Sequence, residues 1–391
     1  MKQRILFVID SLGVGGAEKS LVTLLNLLDY SRFEVDLQLF AYGGVFEQFL
    51  PKEVNVLPPL DYTKFLEAPL WKQILQPRKM LARVRYSMFL RKGSSGHAEK
   101  ANAYWQTIGK TISPSTKTYD IAIGYGQCLP SLYVIDKCEA KRKYLWVNCI
   151  FNLSGAGKGF QQSYYEKADG IACVSSEAKD KMISLYPHLA EKMHLIPDLY
   201  DSDIITRMSL LPSDKSIDHS LPVIMTAGRL NKPQKGYDLA LGAAKILRDR
   251  GVKFRWYAVG EGPYRPEMEA YIGENHLEDT FILLGATPNP YAYMRQCYVY
   301  VQTSRHEGFG LTIAEARILN RPVVCTNFEA CNMQMKHEQN GLVVDIDPIA
   351  IADGIERMLN DDALRTSIID YLEHEKKGNV EEIEKFYSLI E

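Results

Sequence analysis

The chain has 391 residues, of which 46% are hydrophobic and 24% charged, and its formal net charge at pH 7 is -2. This composition is ordinary for a soluble globular protein, and the length predicts two or three domains. The near-neutral charge argues against bulk binding of nucleic acid. No segment reaches the roughly 18 consecutive apolar residues of a membrane span, and the N-terminus lacks the pattern of a signal peptide, so we expect a cytoplasmic protein.

Short apolar runs alternate with amphipathic segments along the chain. Five runs in the first half are predicted to be strands: residues 5–9, 35–40, 121–123, 144–147 and 171–174. Six follow in the second half: residues 223–227, 254–259, 281–284, 299–301, 322–325 and 341–344. This alternation predicts an α/β fold with parallel sheets covered by helices. The polar, proline-containing stretch 207–222 is predicted to be a linker, and the end of the chain a helix.

A glycine-rich loop, Gly13-Val14-Gly15-Gly16-Ala17-Glu18, follows the first predicted strand. It raises the alternative of a dinucleotide-binding turn, but Glu18 stands where that pattern needs a third glycine, and its carboxylate would repel a pyrophosphate. Asp36 lies at a plausible distance along the chain for a ribose ligand. Because Asp36 alternates with Val35 and Leu37 in a predicted strand, a nicotinamide enzyme is the weaker interpretation.

Residues 64–110 are strongly basic, with ten lysines and arginines against Glu67 and Glu99. Within this segment Met80, Leu81, Val84 and Met88 have the spacing of an apolar helical stripe flanked by arginines. One interpretation is a surface that rests on an anionic membrane and makes the protein peripheral to it. The other is a solvated helix that covers the first domain.

Two cations flank a predicted strand-to-helix loop in the second half. The run 223–227 is followed by Gly228-Arg229-Leu230, and Lys235-Gly236 precede an amphipathic stretch. Arg229 offers a planar fork of donors and Lys235 a mobile point charge, which together suit a diphosphate. Since open parallel sheets bind ligands at the carboxyl ends of their strands, this loop is a candidate site.

A second candidate is the segment 307–315, Glu-Gly-Phe-Gly-Leu-Thr-Ile-Ala-Glu. The amides of Phe309, Gly310 and Leu311 are expected to donate to an anion at the start of a helix. Glu315, about one turn into that helix, could accept hydrogen bonds from two sugar or ribose hydroxyls. The alternative is a strand, a tight turn and a capped helix with surface glutamates.

Together these motifs carry a family resemblance. The segments that carry it occur in the family's order and at roughly the family's spacing. They are Gly228-Arg229-Leu230, Lys235-Gly236, Val259-Gly260-Glu261-Gly262-Pro263, Gly285 and residues 307–315. The chain thereby resembles retaining glycosyltransferases of the GT-B fold, family GT4. The resemblance implies two Rossmann-like parallel-sheet domains facing a central cleft, with a C-terminal helix crossing back to the first. The implied boundaries are residues 1–206 for the acceptor domain, 207–222 for the linker, 223–375 for the nucleotide-sugar domain and 376–391 for the returning helix.

The resemblance also implies the roles of individual residues. Arg229 and Lys235 would hold the diphosphate, Glu307 would orient the donor sugar and Glu315 would bind ribose. The other donor-side positions are Gly15, Gly16, Gly228, Gly260, Gly285, Gly308, Phe309, Gly310 and Leu311. The implied reaction moves a sugar from a nucleotide-diphosphate donor, with UDP as the default, to a hydroxyl of a glycan or lipid-linked acceptor with retention. Surface polysaccharide or glycolipid assembly is the implied pathway.

Asn148 departs from the family pattern. It follows the run 144–147, where many GT4 members carry a histidine. Asparagine can hydrogen-bond a sugar hydroxyl but cannot carry a proton through the reaction. We therefore count Asn148 as a candidate catalytic position, with a plain loop-starting residue as the alternative. A non-catalytic partner subunit that binds donor or glycan, and a sugar-nucleotide epimerase of the same fold, also stay open.

Two Asp-x-Asp triplets raise the alternative of a metal-dependent transferase. They are Asp201-Ser202-Asp203 and Asp345-Ile346-Asp347. The resemblance aligns Asp201 with an aspartate that ends a loop, and puts Asp198 in place of the family's usual asparagine. Asp347 precedes Pro348 and is expected to cap a helix. We therefore expect no metal and no cofactor, with the nucleotide-sugar acting as a substrate.

Overall fold

The computed structural model of the protein describes residues 2–13, 15–91, 97–148, 156–287 and 289–391. The chain divides into two compact units. Unit 1 comprises Met1–Leu199 and Glu381–Glu391, and unit 2 comprises Tyr200–Val380. The division therefore falls ahead of the stretch predicted to be the linker.

Unit 1 is built on a seven-stranded sheet. Its strands are β1 (Gln3–Ile9), β2 (Phe33–Leu39), β3 (Val54–Val56), β4 (Thr118–Gly124), β5 (Glu139–Val147), β6 (Gly170–Cys173) and β7 (Met193–Leu195). They lie in the order β3-β2-β1-β4-β5-β6-β7, and every neighbouring pair is parallel. Its helices before the division are α1 (Gly16–Leu27), α2 (Asp61–Glu67), α3 (Leu70–Ile74), α4 (Pro77–Arg91), α5 (His97–Thr107), α6 (Leu129–Lys137), α7 (Ala156–Tyr165) and α8 (Ser176–Leu185).

Both faces of this sheet are covered by buried hydrophobic side chains, which explains the continuous apolar run of residues 5–9 in β1. In β1, Ile5 and Phe7 pack into the hydrophobic cluster on one face. Leu6 and Val8, which alternate with them, pack into the cluster on the other face. A strand buried on both faces reads as a continuous apolar run, and this is why β1 was predictable.

Unit 2 is built on a six-stranded sheet. Its strands are β8 (Val223–Ala227), β9 (Arg255–Val259), β10 (Phe281–Gly285), β11 (Val299–Gln302), β12 (Val323–Thr326) and β13 (Leu342–Val344). They lie in the order β10-β9-β8-β11-β12-β13, again with parallel neighbours. Its helices are α9 (Ser202–Ser209), α10 (Lys232–Lys235), α11 (Tyr237–Asp249), α12 (Arg265–Glu274), α13 (Tyr291–Met294), α14 (Leu311–Ile318), α15 (Pro348–Asn360) and α16 (Asp362–His374).

Short 3-10 turns supplement these helices at Glu47–Phe49, Gly109–Thr111, Pro187–Lys192, Glu329–Met333 and Val380–Glu382. All eleven predicted strands are present, so the predicted α/β fold of parallel sheets is confirmed. The prediction missed β3 and β7, which form the two edges of the first sheet. Each has three residues, and only the first of each is buried, so neither forms an apolar run. No helix in the described ranges combines the length and the apolar character needed to cross a bilayer.

The last helix, α17 (Ile383–Ile390), belongs to unit 1 although the chain has passed through unit 2. Its Phe386 ring lies 6.1 Å from the ring of Phe7 and 6.2 Å from that of Trp146, measured between centroids. Tyr387 stacks on Phe33 at 6.0 Å. The end of the chain therefore completes the core over one face of the first sheet.

Replacing Phe386 with alanine should remove this aromatic packing. We expect the free energy of unfolding of unit 1 to fall by about 3–5 kcal/mol, the usual loss for a buried phenylalanine. Ser388→Ala, on the exposed side of the same helix, is the matched control and should change it by less than about 0.5 kcal/mol. Urea denaturation of the three proteins measures both values. A loss below about 1 kcal/mol for Phe386→Ala would contradict the role given to α17.

Candidate functional site

The carboxyl ends of the six parallel strands meet at one edge of the unit 2 sheet, and the candidate residues follow those ends. Gly228 comes directly after β8, and its amide donates to the carbonyl of Val259 at 2.9 Å. The amide of Gly260, after β9, donates to the carbonyl of Gly285 at the end of β10, also at 2.9 Å. Backbone hydrogen bonds at these glycines therefore join the ends of β8, β9 and β10.

Gly260 is required by close packing at this edge. Its φ is +149°, and a Cβ at this position would lie 1.9 Å from the carbonyl oxygen of Gly228. A side chain here would force apart the loops that follow β8 and β9. Glycine at position 260 therefore allows the backbone of Gly228 and Gly260 to lie side by side.

Arg229 follows Gly228 and is exposed. Among the residues that the structure describes, no acidic side chain forms an ion pair with it. Its guanidinium therefore carries an uncompensated positive charge at the carboxyl edge of the sheet. Such a group is available to an anionic ligand.

Lys235, at the end of α10, forms an ion pair with Glu307. Its Nζ lies 2.6 Å from Oε1 of Glu307, and the two side chains are only 18% and 7% exposed. The same Oε1 also accepts a hydrogen bond from Nε2 of Gln302 at 2.8 Å and one from Oγ of Ser304 at 2.5 Å. The Glu307 carboxylate is thus fixed by one charged and two neutral donors.

A further layer of contacts fixes Gln302 itself. Its Oε1 accepts from the hydroxyl of Tyr300 at 2.9 Å and from Oγ1 of Thr312 at 3.0 Å. β11 and α14 therefore hold Glu307 in place together. Sequence reasoning missed Gln302 and Ser304, although a glutamine at the end of an otherwise apolar strand was the available signal.

The start of α14 presents backbone donors, as predicted from the segment 307–315. Gly310 has a φ of +84° and caps the helix without a side-chain hydrogen bond. The carbonyls of Phe309 and Gly310 accept from Nε2 of Gln334. Over the described ranges of the chain, the amides of Phe309, Gly310 and Leu311 donate to no acceptor. Gln334 therefore turns the carbonyls inward and leaves the amides for an anion at the helix N-terminus.

Glu315 is buried one turn into α14, with 1% of its surface exposed. Its Oε1 accepts from the hydroxyl of Tyr291 at 2.9 Å. Burial, reinforced by this neighbouring carboxylate, raises the pKa of Tyr291 well above its ordinary value. The alternative of a surface glutamate is therefore wrong for Glu315, and Tyr291 is a partner that the sequence did not reveal.

The glycine-rich loop of unit 1 is arranged differently. Gly15 is the N-cap of α1 and Gly16 its first residue, while Val14 lies outside the described residues. A Cβ on Gly15 would lie 2.1 Å from an oxygen of the Glu18 carboxylate. The Glu18 carboxylate therefore lies against Gly15 at the N-terminus of the helix. This geometry disfavours a phosphate there and agrees with setting the dinucleotide alternative aside.

A buried polar cluster lies behind this loop. Oγ of Ser20 lies 2.8 Å from the hydroxyl of Tyr125 and accepts from the amide of Leu199 at 3.1 Å. Asp198 adjoins Ser20 and is 6% exposed. Burial, with a smaller contribution from the charge of Glu18, raises the pKa of Asp198 from 3.8 to about 7.

Asn148 directly follows β5 and is half-buried. Its Oδ1 is buried, and no hydrogen-bond partner for it lies within the described parts of the chain. Its Nδ2 would lie 3.9 Å from a Cβ placed on Gly126. Because residues 149–155 lie outside the described residues, its role as a contact to donor or acceptor stays a prediction.

Both Asp-x-Asp triplets contain helix caps. Asp201 accepts from the amides of Asp203 and Ile204 at the start of α9. Asp347 accepts from the amides of Ile349 and Ala350 at the start of α15, which confirms the cap expected before Pro348. The described residues include no group of three or more side chains arranged to hold a metal ion.

The chain is similar in sequence to known proteins. Residues 210–375 match the family Glycosyl transferases group 1. Over 366 residues, 93% of this chain and 92% of the relative, the sequence is 26% identical to N-acetylgalactosamine-N,N'-diacetylbacillosaminyl-diphospho-undecaprenol 4-alpha-N-acetylgalactosaminyltransferase of Campylobacter jejuni. Over 136 residues, 34% of this chain and 27% of the relative, it is 32% identical to poly(ribitol-phosphate) alpha-N-acetylglucosaminyltransferase of Staphylococcus aureus.

Solved structures extend the likeness to the whole chain. TarM of S. aureus, solved with UDP, is 15% identical with a TM-score of 0.70, covering 99% of each chain. HepE of Anabaena, solved with UDP-glucose, is 18% identical with a TM-score of 0.68, covering 99% of this chain and 100% of its own. The fold is that of GT-B glycosyltransferases. With the sequence matches, it supports a glycosyltransferase.

The buried Asp198 predicts a pH effect on stability. The pKa of Asp198 in the folded protein is about 7, above the ordinary 3.8. The protonated carboxyl group therefore stabilises the folded protein at low pH, and this contribution to the free energy of unfolding is lost as the pH rises through about 7. Asp198→Asn stays neutral, so its unfolding free energy should rise relative to the parent between about pH 4 and pH 7. The difference between the two pKa values of Asp198 corresponds to a change in the free energy of unfolding of roughly 4 kcal/mol at most, at about 1.4 kcal/mol for each pKa unit.

Urea denaturation of the parent and of Asp198→Asn at pH 5 and at pH 8 measures this difference. Asp347→Asn is the matched control, because Asp347 caps an exposed helix end and asparagine caps equally well. Its difference from the parent should stay constant over the same range. Parallel pH profiles for Asp198→Asn and the parent would refute a neutral Asp198 in the folded state.

Proposed function

We propose that this protein transfers a sugar from a nucleotide-diphosphate donor to an acceptor hydroxyl with retention of the anomeric configuration. The donor is a UDP-sugar, and the acceptor is a glycan or a lipid-linked glycan in surface polysaccharide or glycolipid assembly. The proposal assigns the chain to the GT4 pattern of the GT-B fold.

One observation carries the proposal: an anion-binding set of groups at the carboxyl edge of the unit 2 sheet. Arg229 is exposed there without an acidic partner among the described residues, and Lys235 is fixed beside Gly228 by its 2.6 Å contact with Glu307. The amides of residues 309–311 add neutral donors at a helix N-terminus. Cations and amides converging at a strand-end loop are what a diphosphate requires.

The chemistry follows from these positions. The bond from the anomeric carbon to the diphosphate breaks and a bond to the acceptor oxygen forms, while the acceptor proton leaves with the diphosphate. Arg229 and Lys235 stabilise the charge that develops on the leaving group, so the mechanism needs no metal ion. Glu307 orients the sugar hydroxyls, and Glu315, held by Tyr291, binds the ribose.

Retention and the choice of UDP rest on what is known of the similar proteins. The names of the Campylobacter and Staphylococcus relatives both specify an alpha linkage, which is the configuration that retention gives from a donor sugar alpha-linked to its diphosphate. TarM and HepE were solved with UDP or UDP-glucose. A lipid-linked acceptor is proposed because the Campylobacter relative acts on a diphospho-undecaprenol. In unit 1, Gly15, Gly16 and Asn148 are the proposed contacts for acceptor and donor sugar.

The test is a thermal-shift screen of the purified protein against UDP, GDP, ADP and their sugar conjugates. A ligand that binds only the native state raises the midpoint of thermal unfolding, by on the order of 3 °C at a hundredfold excess over Kd for a chain of this size. We expect this rise for UDP. Arg229→Ala and Lys235→Ala should each weaken binding by about tenfold to a hundredfold, because each removes a charge-assisted hydrogen bond.

Lys232→Ala is the matched control, since it removes a cation from the same short helix. The Nζ of Lys232 lies 5.5 Å from the ring centroid of Tyr264, so its loss should leave the UDP shift unchanged. No shift with any nucleotide in the folded parent would overturn the donor site. An equal loss of the UDP-induced shift in Arg229→Ala, Lys235→Ala and Lys232→Ala would mean that UDP binds through non-specific charge attraction and not at a defined site.

Donor hydrolysis followed by NMR separates this function from its two alternatives. A retaining transferase slowly releases UDP and the free sugar. The sugar anomer that appears first should have the same anomeric configuration as the donor. An epimerase would change the sugar while leaving the diphosphate attached. A non-catalytic partner subunit would bind UDP and release nothing.

A further inference from the structure

The first three helices after β3 expose an unusual amount of apolar surface. Of the sixteen large hydrophobic side chains that are exposed among the described residues, nine lie between residues 66 and 90. The most exposed are Leu70, Trp71, Ile74 and Leu75, with 63% to 72% of their surface open. We call these four residues the apolar tip. They lie on and just after α3, within unit 1.

The apolar tip is held outward by a buried polar residue. Gln73 is the buried residue of α3. Its Nε2 donates to the carbonyl of Ala68 at 2.7 Å and to that of Leu66 at 3.3 Å, and its Oε1 accepts from Nη1 of Arg83 at 2.6 Å. A helix that buries its glutamine and exposes leucine, isoleucine and tryptophan reverses the normal arrangement in water. The exposure is therefore built into the packing of α2, α3 and α4.

α4 continues the same apolar surface. Leu81, Val84 and Met88 are exposed and spaced to share one face of the helix, while Ala82 is buried on another face. The predicted stripe is correct for these three residues and wrong for Met80, which is half-buried and packs into the core. Met80 lies about a hundred degrees around the helix from Leu81 and thus turns inward.

Cations surround this surface. Seven lysines and arginines lie between residues 64 and 91, with Glu67 as the acidic residue of that range. Lys79 contacts Asp61 at 3.5 Å, and Arg83 is held by Gln73. The other five form no ion pair with any acid in the described ranges: Lys64, Lys72, Arg78, Arg85 and Arg91. Residues 92–96 of the predicted basic segment lie outside the described residues.

The exposed apolar side chains and the surrounding cations together indicate what binds this surface. We propose that the apolar tip inserts into the interface of an anionic lipid bilayer while the surrounding cations contact lipid phosphates. Exposed leucine and tryptophan on a basic helical segment are the features of an interfacial anchor. A second copy of the chain would instead bring the same cations face to face, which disfavours self-association. The inference goes beyond the proposed transfer reaction, and its test requires no turnover.

Trp71 allows a site-specific test. The other three tryptophans, Trp105, Trp146 and Trp256, are at most 4% exposed, so a change in emission on adding vesicles reports mainly on Trp71. With vesicles of phosphatidylglycerol and phosphatidylcholine in equal parts, the emission should move to shorter wavelength and the protein should sediment with the lipid. Vesicles of phosphatidylcholine alone should bind far less, and high salt should weaken binding to the anionic vesicles.

Variants of the surface complete the experiment. Leu70→Ser with Leu75→Ser, and separately Arg78→Glu with Arg85→Glu, should each weaken vesicle binding by at least roughly tenfold. Leu210→Ser with Leu211→Ser is the matched control, since both leucines are more than half exposed but belong to unit 2. This pair should bind like the parent. Circular dichroism shows which variants are folded, and the Trp71 measurement uses the parent protein and does not depend on them.

Three outcomes would overturn the proposal. One is an unchanged Trp71 emission with anionic vesicles. Another is vesicle binding that both surface variants retain in full. The third is light scattering that finds a dimer of the parent which the Leu70→Ser and Leu75→Ser changes dissociate, because the apolar tip would then be covered by a second copy. UDP binding is measured separately, so failure here leaves the proposed function untouched.

Discussion

The ion pair between Lys235 and Glu307 is the interaction on which the candidate site depends. It joins the loop after β8 to the loop after β11, and both reach it because parallel strands end at the same edge of the sheet. Glu307 is in turn fixed by Gln302, whose own position depends on Thr312 at the start of α14. One hydrogen-bonded chain thus sets the positions of a cation, a carboxylate and a helix N-terminus.

The two cations at this edge of the sheet have different surroundings. Glu307 pairs with Lys235 and holds its ammonium group beside Gly228, whereas Arg229 has no acidic partner among the described residues. The amides of residues 309–311 are left open by a cap that uses Gly310 and no side chain. The first helix of unit 1 shows the opposite solution, because the Glu18 carboxylate lies against Gly15 at its N-terminus. An anion is therefore favoured at α14 and disfavoured at α1.

Sequence reasoning found what local patterns encode. Strands buried on both faces appeared as apolar runs, and the glycines, Arg229, Lys235 and Glu307 stood out because their motifs are contiguous. It missed β3 and β7, which bury one residue each at the sheet edges. It also missed Gln302, Gln334 and Tyr291, since each acts through a partner distant in the chain. The outward orientation of α3 escaped it too, because that depends on a tertiary contact between Gln73 and Arg83.

A crystal structure of the protein with UDP is the most direct test of the central claim, that the carboxyl edge of the unit 2 sheet binds a diphosphate. We expect phosphate oxygens within about 3.5 Å of the Arg229 guanidinium, of Lys235 Nζ and of at least one amide of residues 309–311. The ribose should lie at Glu315. UDP bound elsewhere, or bound at this edge with Arg229 and Lys235 turned away from the phosphates, would contradict the account.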